Sequence, residues 1–191
     1  MKVLVACEFS GVVRRAFRAR GHDAWSCDLL PAEDASEYHI QGDVLEVLGD
    51  GWDMMIFHAP CTRLCNSGVR WLEERGLWDD MKAGAIFFKT LLNYEKIPKR
   101  VGENPIPHHY AVDEIGCKYD QIIHPWQHGH GEKKATCLWV RGLPLLQPTN
   151  IVAGRLARCH GESPGDDRWK RRSRTYPGIA EAMAEQWGGA A

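Results

Sequence analysis

The chain has 191 residues, of which 44% are hydrophobic and 26% charged, a composition that excludes the disordered and fibrous classes. It has 24 Lys and Arg against 25 Asp and Glu, so its net charge of −1 does not indicate nucleic-acid binding, and any basic surface must be local. Seven cysteines, an odd number at irregular spacing, argue against a disulfide framework.

The hydrophobic pattern predicts strands that alternate with helices. Short apolar runs predict strands at Lys2–Cys7, His22–Asp28, Tyr38–Gln41, Asp53–Phe57, Arg100–Glu103, Tyr119–Ile123 and Thr136–Val140. Helical spacing of apolar residues predicts helices at Val12–Arg20, Val44–Leu48, Leu77–Tyr94 and Gly178–Trp187. No apolar run approaches the roughly 20 residues of a membrane span. The early acid Glu8 is not typical of a signal peptide, so we expect a cytoplasmic location.

This alternation predicts an α/β fold, with a doubly wound, mostly parallel central sheet and helices on both faces. We expect a single domain over residues 1–191. Residues 1–148 would form the α/β core, residues 149–177 a short basic insert, and residues 178–191 a closing helix and tail. Ligands of such sheets bind at the carboxyl ends of the strands, so the candidate chemistry is sought there.

The first three strand ends carry features that suit a nucleotide-like cofactor. The turn Glu8-Phe9-Ser10-Gly11 would leave the first amides of a helix free for a polar or anionic group, although a plain tight turn is the alternative. Asp28 can accept both hydroxyls of a ribose, or it is a solvated or capping acid. Asp43 either caps the next helix or accepts from the amino group of an adenine.

The fourth strand end contains a candidate nucleophile. Pro60 stiffens the turn and places Cys61 at the ligand-binding edge, where a thiolate can attack a substrate. A buried inert cysteine is one alternative, and a metal site shared with Cys65 is another. No second Cys or His pair at zinc spacing lies nearby, so we expect no metal.

The fifth strand end and the basic insert complete the set of candidates. Glu103 can face Cys61 across the cleft and bind a substrate ring, or it is a helix-capping acid before the following turn. Arg168–Arg174 is a concentrated basic run that includes Trp169, which allows phosphate contacts and base stacking. A solvated charged loop is the alternative for this run.

Taken in order, these motifs resemble those of the cytosine-C5 DNA methyltransferases, which use S-adenosylmethionine. The motifs are Glu8-Phe9-Ser10-Gly11, Asp28, Gly42-Asp43-Val44, Pro60-Cys61 and Glu103-Asn104. The resemblance covers roughly residues 1–145, and the Pro-Cys and Glu-Asn pairs are its most specific part. A large target-recognition domain is missing, because only residues 149–177 precede the last helix. The chain therefore resembles the compact phage and prophage relatives of that family.

The resemblance implies a Rossmann-like methyltransferase fold, S-adenosylmethionine as cofactor and DNA as partner. Cys61 would be the nucleophile, and Glu103 would bind N3 and the exocyclic amine of the pyrimidine. The expected cofactor-binding residues are Phe9, Ser10, Gly11, Asp28 at the ribose, Asp43 at the adenine, and Pro60. The expected substrate-binding residues are Arg63, Asn104, Lys133, Lys134, Arg168, Lys170, Arg171, Arg172 and Arg174.

The expected activity is transfer of a methyl group to C5 of cytosine in DNA through a Cys61 adduct at C6. A duplex substrate would first have to flip its base into the cleft. Because no recognition domain is visible, modification of a free pyrimidine nucleotide such as dCMP is a second hypothesis. A relative that binds DNA or the cofactor without catalysis is the third.

Overall fold

The structure is a computed structural model and describes residues 1–189, which form an α/β domain around one sheet. Within these residues the seven strands are β1 (Lys2–Ala6), β2 (Asp23–Asp28), β3 (His39–Gln41), β4 (Met54–Phe57), β5 (Lys99–Pro105), β6 (Gln121–Ile123) and β7 (Thr136–Arg141). The helices are α1 (Val12–Ala19), α2 (Val44–Val47), α3 (Arg70–Glu74), α4 (Trp78–Leu92), α5 (His109–Ile115), α6 (Arg158–Gly161), α7 (Arg168–Ser173) and α8 (Pro177–Gly188).

The strands lie in the order β3-β2-β1-β4-β5-β7-β6. The first five pair in parallel, whereas β7 runs antiparallel to both β5 and β6. The expected α/β class with a mostly parallel sheet is therefore confirmed. The carboxyl ends of β1, β2, β4 and β5 meet at one edge, where the site residues lie.

The sheet is buried on both faces, which explains why its strands read as continuous apolar runs. Alternate residues of β1 point to opposite sides: Val3 and Val5 pack with α1 and α8, and Leu4 and Ala6 pack with α4. The indole of Trp187 from α8 is fully buried on the first side. The helices thereby hold the sheet from both faces and leave only its edges for ligands.

Four helices were not expected from the sequence, and each is short. Helix α5 has seven residues and begins at His108, whose ring accepts a hydrogen bond from Ala111 N at 3.1 Å. Helix α7 has six residues, which are mostly basic, and none of them is buried, so the sequence shows no helical spacing of apolar residues there. In an element this short, capping and tertiary contacts outweigh propensity.

None of the helices in residues 1–189 combines the length and apolar character needed to cross a bilayer.

Candidate active site

The register of the sheet aligns four side-chain positions in one row at the carboxyl edge. Ala6 pairs with Cys27 on one side and Phe57 on the other, and Phe57 pairs with Gly102. The next residues along these four strands are Asp28, Cys7, His58 and Glu103. Backbone bonds extend the row beyond the regular strands, since His58 N donates to Ala6 O at 3.0 Å and Glu8 N donates to Cys27 O at 3.2 Å. Residues far apart in sequence thus become neighbours through strand pairing alone.

The turn after β1 is closed by its own acid. The carboxylate of Glu8 accepts from Val13 N at 2.7 Å and from Arg14 N at 3.3 Å, and Ser10 Oγ donates to it at 3.3 Å. The expectation that the first amides of α1 are free for a ligand is therefore wrong, because Glu8 occupies them. Gly11 has a φ of +67°, and a side chain there would collide with Arg14.

The two acids expected at a nucleoside both act electrostatically on Cys7. Burial raises the pKa of the Cys7 thiol to about 12, and the charges of Asp28, Cys27 and Asp43 raise it further. Asp28 is half-buried, and burial raises the pKa of its carboxyl. Its Oδ1 accepts from Leu30 N at 2.9 Å, and Asp43 Oδ1 accepts from Leu45 N at 2.9 Å. Asp43 therefore caps α2, which was one of the two roles predicted for it from the sequence.

The loop after β4 is fastened to the loop after β5, which brings Cys61 towards Glu103. Cys65 forms an isolated bridge with Pro107, and His108 Nε2 contacts Arg63 O at 2.8 Å. A side chain at Gly68 would collide with the carbonyl of Thr62, so the loop is tightly folded. Pro60 is exposed at its start.

Two sulfurs lie side by side in this loop. The Cys61 thiol donates towards Cys65, and this contact, followed by burial, raises the pKa of Cys61. The same contact lowers the pKa of Cys65, helped by Ser67 and by the backbone N–H of Gly68 and Ser67. Ser67 Oγ lies 3.1 Å from Cys65 Sγ. The contact therefore favours ionisation of Cys65 over ionisation of Cys61.

Glu103 is held in an ion pair with a histidine that our sequence analysis did not include among the candidates. Nδ1 of His58 lies 2.7 Å from Oε2 of Glu103, and both side chains are largely buried. Burial alone would raise the pKa of Glu103, but His58, Lys134 and a hydrogen bond from Thr175 lower it below its ordinary value. Burial opposes protonation of His58, yet Glu103 and Glu8 raise its pKa. Each of the two groups therefore shifts the pKa of the other towards its charged form.

Three buried polar atoms of this pair and its neighbour Asn104 have no hydrogen-bond partner within residues 1–189. They are Nε2 of His58, Oε2 of Glu103, whose contact with Nδ1 of His58 is an ion pair, and Oδ1 of Asn104, whose Nδ2 donates to Pro105 O at 2.6 Å. A buried polar atom left unpaired costs about 1–3 kcal/mol, so such atoms in a cleft are suited to a ligand.

The segment that contains the basic run covers the cleft. Ser173, Arg174 and Thr175 line a cavity of about 60 Å³ whose other walls are Cys7, Glu8, Phe9, Ser10 and His58. The ring of Trp169 packs on Phe9 at a centroid distance of 5.6 Å. Lys134 Nζ donates to the carbonyl of Arg174 at 3.0 Å. We call residues 168–175 the covering segment.

Half of the eight basic side chains expected at a substrate form ion pairs with acidic side chains. Arg174 pairs with Glu33 at 2.7 Å, Arg171 with Glu162 at 2.7 Å, Lys170 with Asp167 at 3.1 Å, and Arg63 with Asp80 at 3.6 Å. Arg168 Nε donates to Glu162 O at 2.8 Å. Lys133 is exposed, and Arg172 is half-buried with its Nε unpaired among the described residues. The run is a helix held by ion pairs, which differs from the solvated loop considered above.

The residues described contain no group of three or more His, Cys, Asp or Glu side chains arranged to hold a metal ion. Cys61 and Cys65 interact with each other instead.

Three contributors to this site were missing from the sequence-based set: His58, Thr175 and Trp169 as a cover over Phe9. A signal for His58 was available, since it directly follows a buried strand and so projects at the ligand edge. Thr175 and Trp169 reach the cleft only through the path of the chain after β7, which no local pattern reveals.

Comparison with solved structures establishes the fold. The chain is similar to a protein assigned as a DNA modification methyltransferase encoded within an E. coli prophage, with a TM-score of 0.52, 13% identity and coverage of 85% of this chain and 55% of that one. It is also similar to the methyltransferase EhMeth of Entamoeba histolytica, with a TM-score of 0.52, 14% identity and coverage of 78% and 57%. The chain thus spans little more than half the length of either protein. No protein-family model and no curated protein matches it.

The architecture is therefore a Rossmann-like α/β fold of the kind seen in these two proteins, with a candidate active site at the carboxyl edge of its sheet.

Proposed function

We propose that the protein transfers a methyl group from S-adenosylmethionine to C5 of cytosine in DNA. The observation that carries the proposal is that the loop with Cys61 is fastened to the loop that follows Glu103. The two loops leave neighbouring strands β4 and β5, and the isolated bridge between Cys65 and Pro107 joins them. The Glu103 charge contributes to the raised pKa of Cys61, as expected for neighbouring groups.

Cytosine C5 is a poor nucleophile, and the proposed pair corrects this. Cys61 would pass its proton to the neighbouring Cys65 and add to C6 as a thiolate, which makes C5 enamine-like and able to accept a methyl group. A base then removes the C5 proton, and the thiolate leaves. Glu103 accepts from the exocyclic amine, and the proton that N3 gains is drawn from the imidazolium of His58 through Glu103, over the 2.7 Å contact.

The residues at the carboxyl edge suit the proposed donor, since Asp28 ends β2, Asp43 follows β3, and Nε2 of His58 is buried and unpaired among residues 1–189. S-adenosylmethionine supplies an electrophilic methyl group on a sulfonium. Asp28 and Asp43 would hold its nucleoside, and Phe9, Ser10, Gly11 and Pro60 would line the remainder. A cavity of about 60 Å³ is far smaller than the roughly 300 Å³ or more of typical cofactor sites, so the covering segment must shift to admit the whole molecule.

DNA is the proposed substrate because one structural neighbour is described as a DNA modification methyltransferase. Asn104, Lys133, Lys134, Arg63 and the basic residues of α7 would contact it. The ion pairs of Arg174, Arg171 and Lys170 favour a second candidate, a free pyrimidine nucleotide, since each acidic partner reduces the attraction for a phosphate backbone.

The deciding experiment is incubation with labelled S-adenosylmethionine and duplex DNA, single-stranded DNA or dCMP in parallel. We expect label in polynucleotide, its loss in Cys61→Ala, and its retention in Cys117→Ala. Cys117 is a matched control because it is also a half-buried free cysteine, beside Arg141 rather than in the cleft. Label in dCMP alone would replace DNA by the free nucleotide, and no label in any substrate would favour a non-catalytic binding protein.

A further inference from the structure

The cavity beneath the covering segment has walls of opposite charge. Glu8 contributes a carboxylate that is fixed by the amides of α1, and His58 contributes an imidazole that is fixed by Glu103. At about 60 Å³ the cavity accommodates a carboxylate and an amino group but no nucleoside. The walls therefore complement a small zwitterion, such as the end of an amino acid.

His58 is the wall with an unused donor. Its Nδ1 is occupied by Glu103 at 2.7 Å, whereas its Nε2 is buried and has no partner among residues 1–189. The charged groups around the ring are Glu103 on β5, Glu8 after β1, and Lys134 before β7. The two carboxylates raise the pKa of the ring against the effect of burial, and a protonated ring donates from both nitrogens.

The placement of His58 separates its two contacts. In the row across the sheet it lies between Cys7 on β1 and Glu103 on β5, so it stands between the cofactor turn and the acid proposed for the pyrimidine. Nδ1 therefore contacts Glu103 on the side proposed for the substrate, and Nε2 is left for a ligand on the side proposed for the cofactor.

We propose that Nε2 of His58 binds the α-carboxylate at the amino-acid end of the methyl donor, with Glu8 on the opposite wall beside the ammonium group. This assignment rests on the proposed function, because it presumes that the donor is S-adenosylmethionine. It makes His58 a cofactor-binding residue that also links the donor to Glu103.

The test compares S-adenosylmethionine with its decarboxylated form by isothermal titration. The wild type binds the carboxylate-bearing donor more tightly. His58→Gln, which removes the positive charge, weakens that donor roughly ten- to hundred-fold, as expected for loss of a charge-assisted hydrogen bond, and leaves the decarboxylated form unchanged. His22→Gln is the matched control, because His22 is a half-buried histidine at the opposite edge of the sheet, beside the amino terminus.

The outcomes separate this assignment from the proposed function. A wild type that binds S-adenosylmethionine but shows no preference over the decarboxylated form overturns the role of His58 and leaves methyl transfer intact. The same holds if His58→Gln weakens both ligands equally. A wild type that binds neither ligand removes the proposed cofactor itself. The wild-type comparison needs no variant, so it remains decisive if His58→Gln fails to fold.

Discussion

The carboxylate of Glu103 lies 2.7 Å from Nδ1 of His58 in the interior of the cleft. The two residues are neighbours because the parallel register of β4 and β5 pairs Phe57 with Gly102, the residues that precede them. A buried ion pair of this kind is costly unless both charges remain partnered. The contact therefore couples the ionisation of the two groups, and this coupling is measurable.

The first prediction concerns stability against pH. The lowered pKa of Glu103 contributes stability above its ordinary value of 4.5, which is lost as the pH falls through the folded value. The raised pKa of His58 contributes stability below its ordinary value of 6.5, which is lost as the pH rises through the folded value. The Tm difference between wild type and Glu103→Gln should therefore be largest between pH 4.5 and 6.5.

Thermal melts across the pH range check this prediction. Glu74→Gln, at an exposed position on α3, is the matched control and should show a small difference with no such maximum. A flat profile for Glu103→Gln would mean that the pair is not ionised in solution.

The second prediction concerns the nucleophile. Cys61 should form a covalent adduct with DNA that contains 5-fluorocytosine, because fluorine at C5 cannot leave as a proton does. The adduct is read as a shifted band on a denaturing gel, and it should disappear in Cys61→Ser and persist in Cys65→Ser. Because Cys65 is the proposed acceptor of the Cys61 proton, Cys65→Ser should still slow adduct formation at neutral pH. Persistence in Cys61→Ser with loss in Cys65→Ser would reverse the two roles.

The third prediction concerns the nucleoside end of the donor. Asp28→Ala and Asp43→Ala should each weaken S-adenosylmethionine by about 1.5–3 kcal/mol, or roughly ten- to hundred-fold, in isothermal titration. Asp43 also caps α2, so Asp43→Ser separates the two effects: serine keeps a cap but lacks the carboxylate. The cofactor assignment is wrong if all three variants bind as the wild type does.

The fourth prediction concerns the acid at the ring. Glu103→Gln should lower kcat more than it weakens the cofactor, since its proposed contacts form with the pyrimidine. Single-turnover methylation and cofactor titration on the same preparation separate the two quantities. An equal loss in both would place Glu103 at the cofactor instead.

The fifth prediction concerns the basic helix. Replacement of Lys170, Arg171 and Arg172 by alanine should weaken DNA of every sequence alike and leave S-adenosylmethionine affinity unchanged, because phosphate contacts position DNA without reading bases. Each lost contact should reduce the slope of log affinity against log salt by about 0.7–0.9. Slopes that match the wild type would show that the ion pairs of α7 hold these side chains away from DNA.

The positions of the strands and of the long helices along the chain could be predicted from the sequence alone. Apolar runs with alternating helices predicted the seven strands to within a few residues, because both faces of the sheet are buried and the central strands β1 and β4 are almost entirely apolar. Strand ends in a parallel sheet meet at one edge, so Asp28, Cys61 and Glu103 could be grouped from sequence alone.

The tertiary structure decided what those residues contact. Glu8 accepts hydrogen bonds from the first amides of α1, His58 forms an ion pair with Glu103, and Cys65 contacts Cys61. Each of these contacts depends on strand register or on the closure of a loop to within a few ångströms. The basic run shows the same division, because its charges are evident in sequence while its acidic partners are contributed by Glu33, Glu162 and Asp167. Periodicity reports which face of an element is buried, whereas the partner of a polar side chain is set by the path of the whole chain.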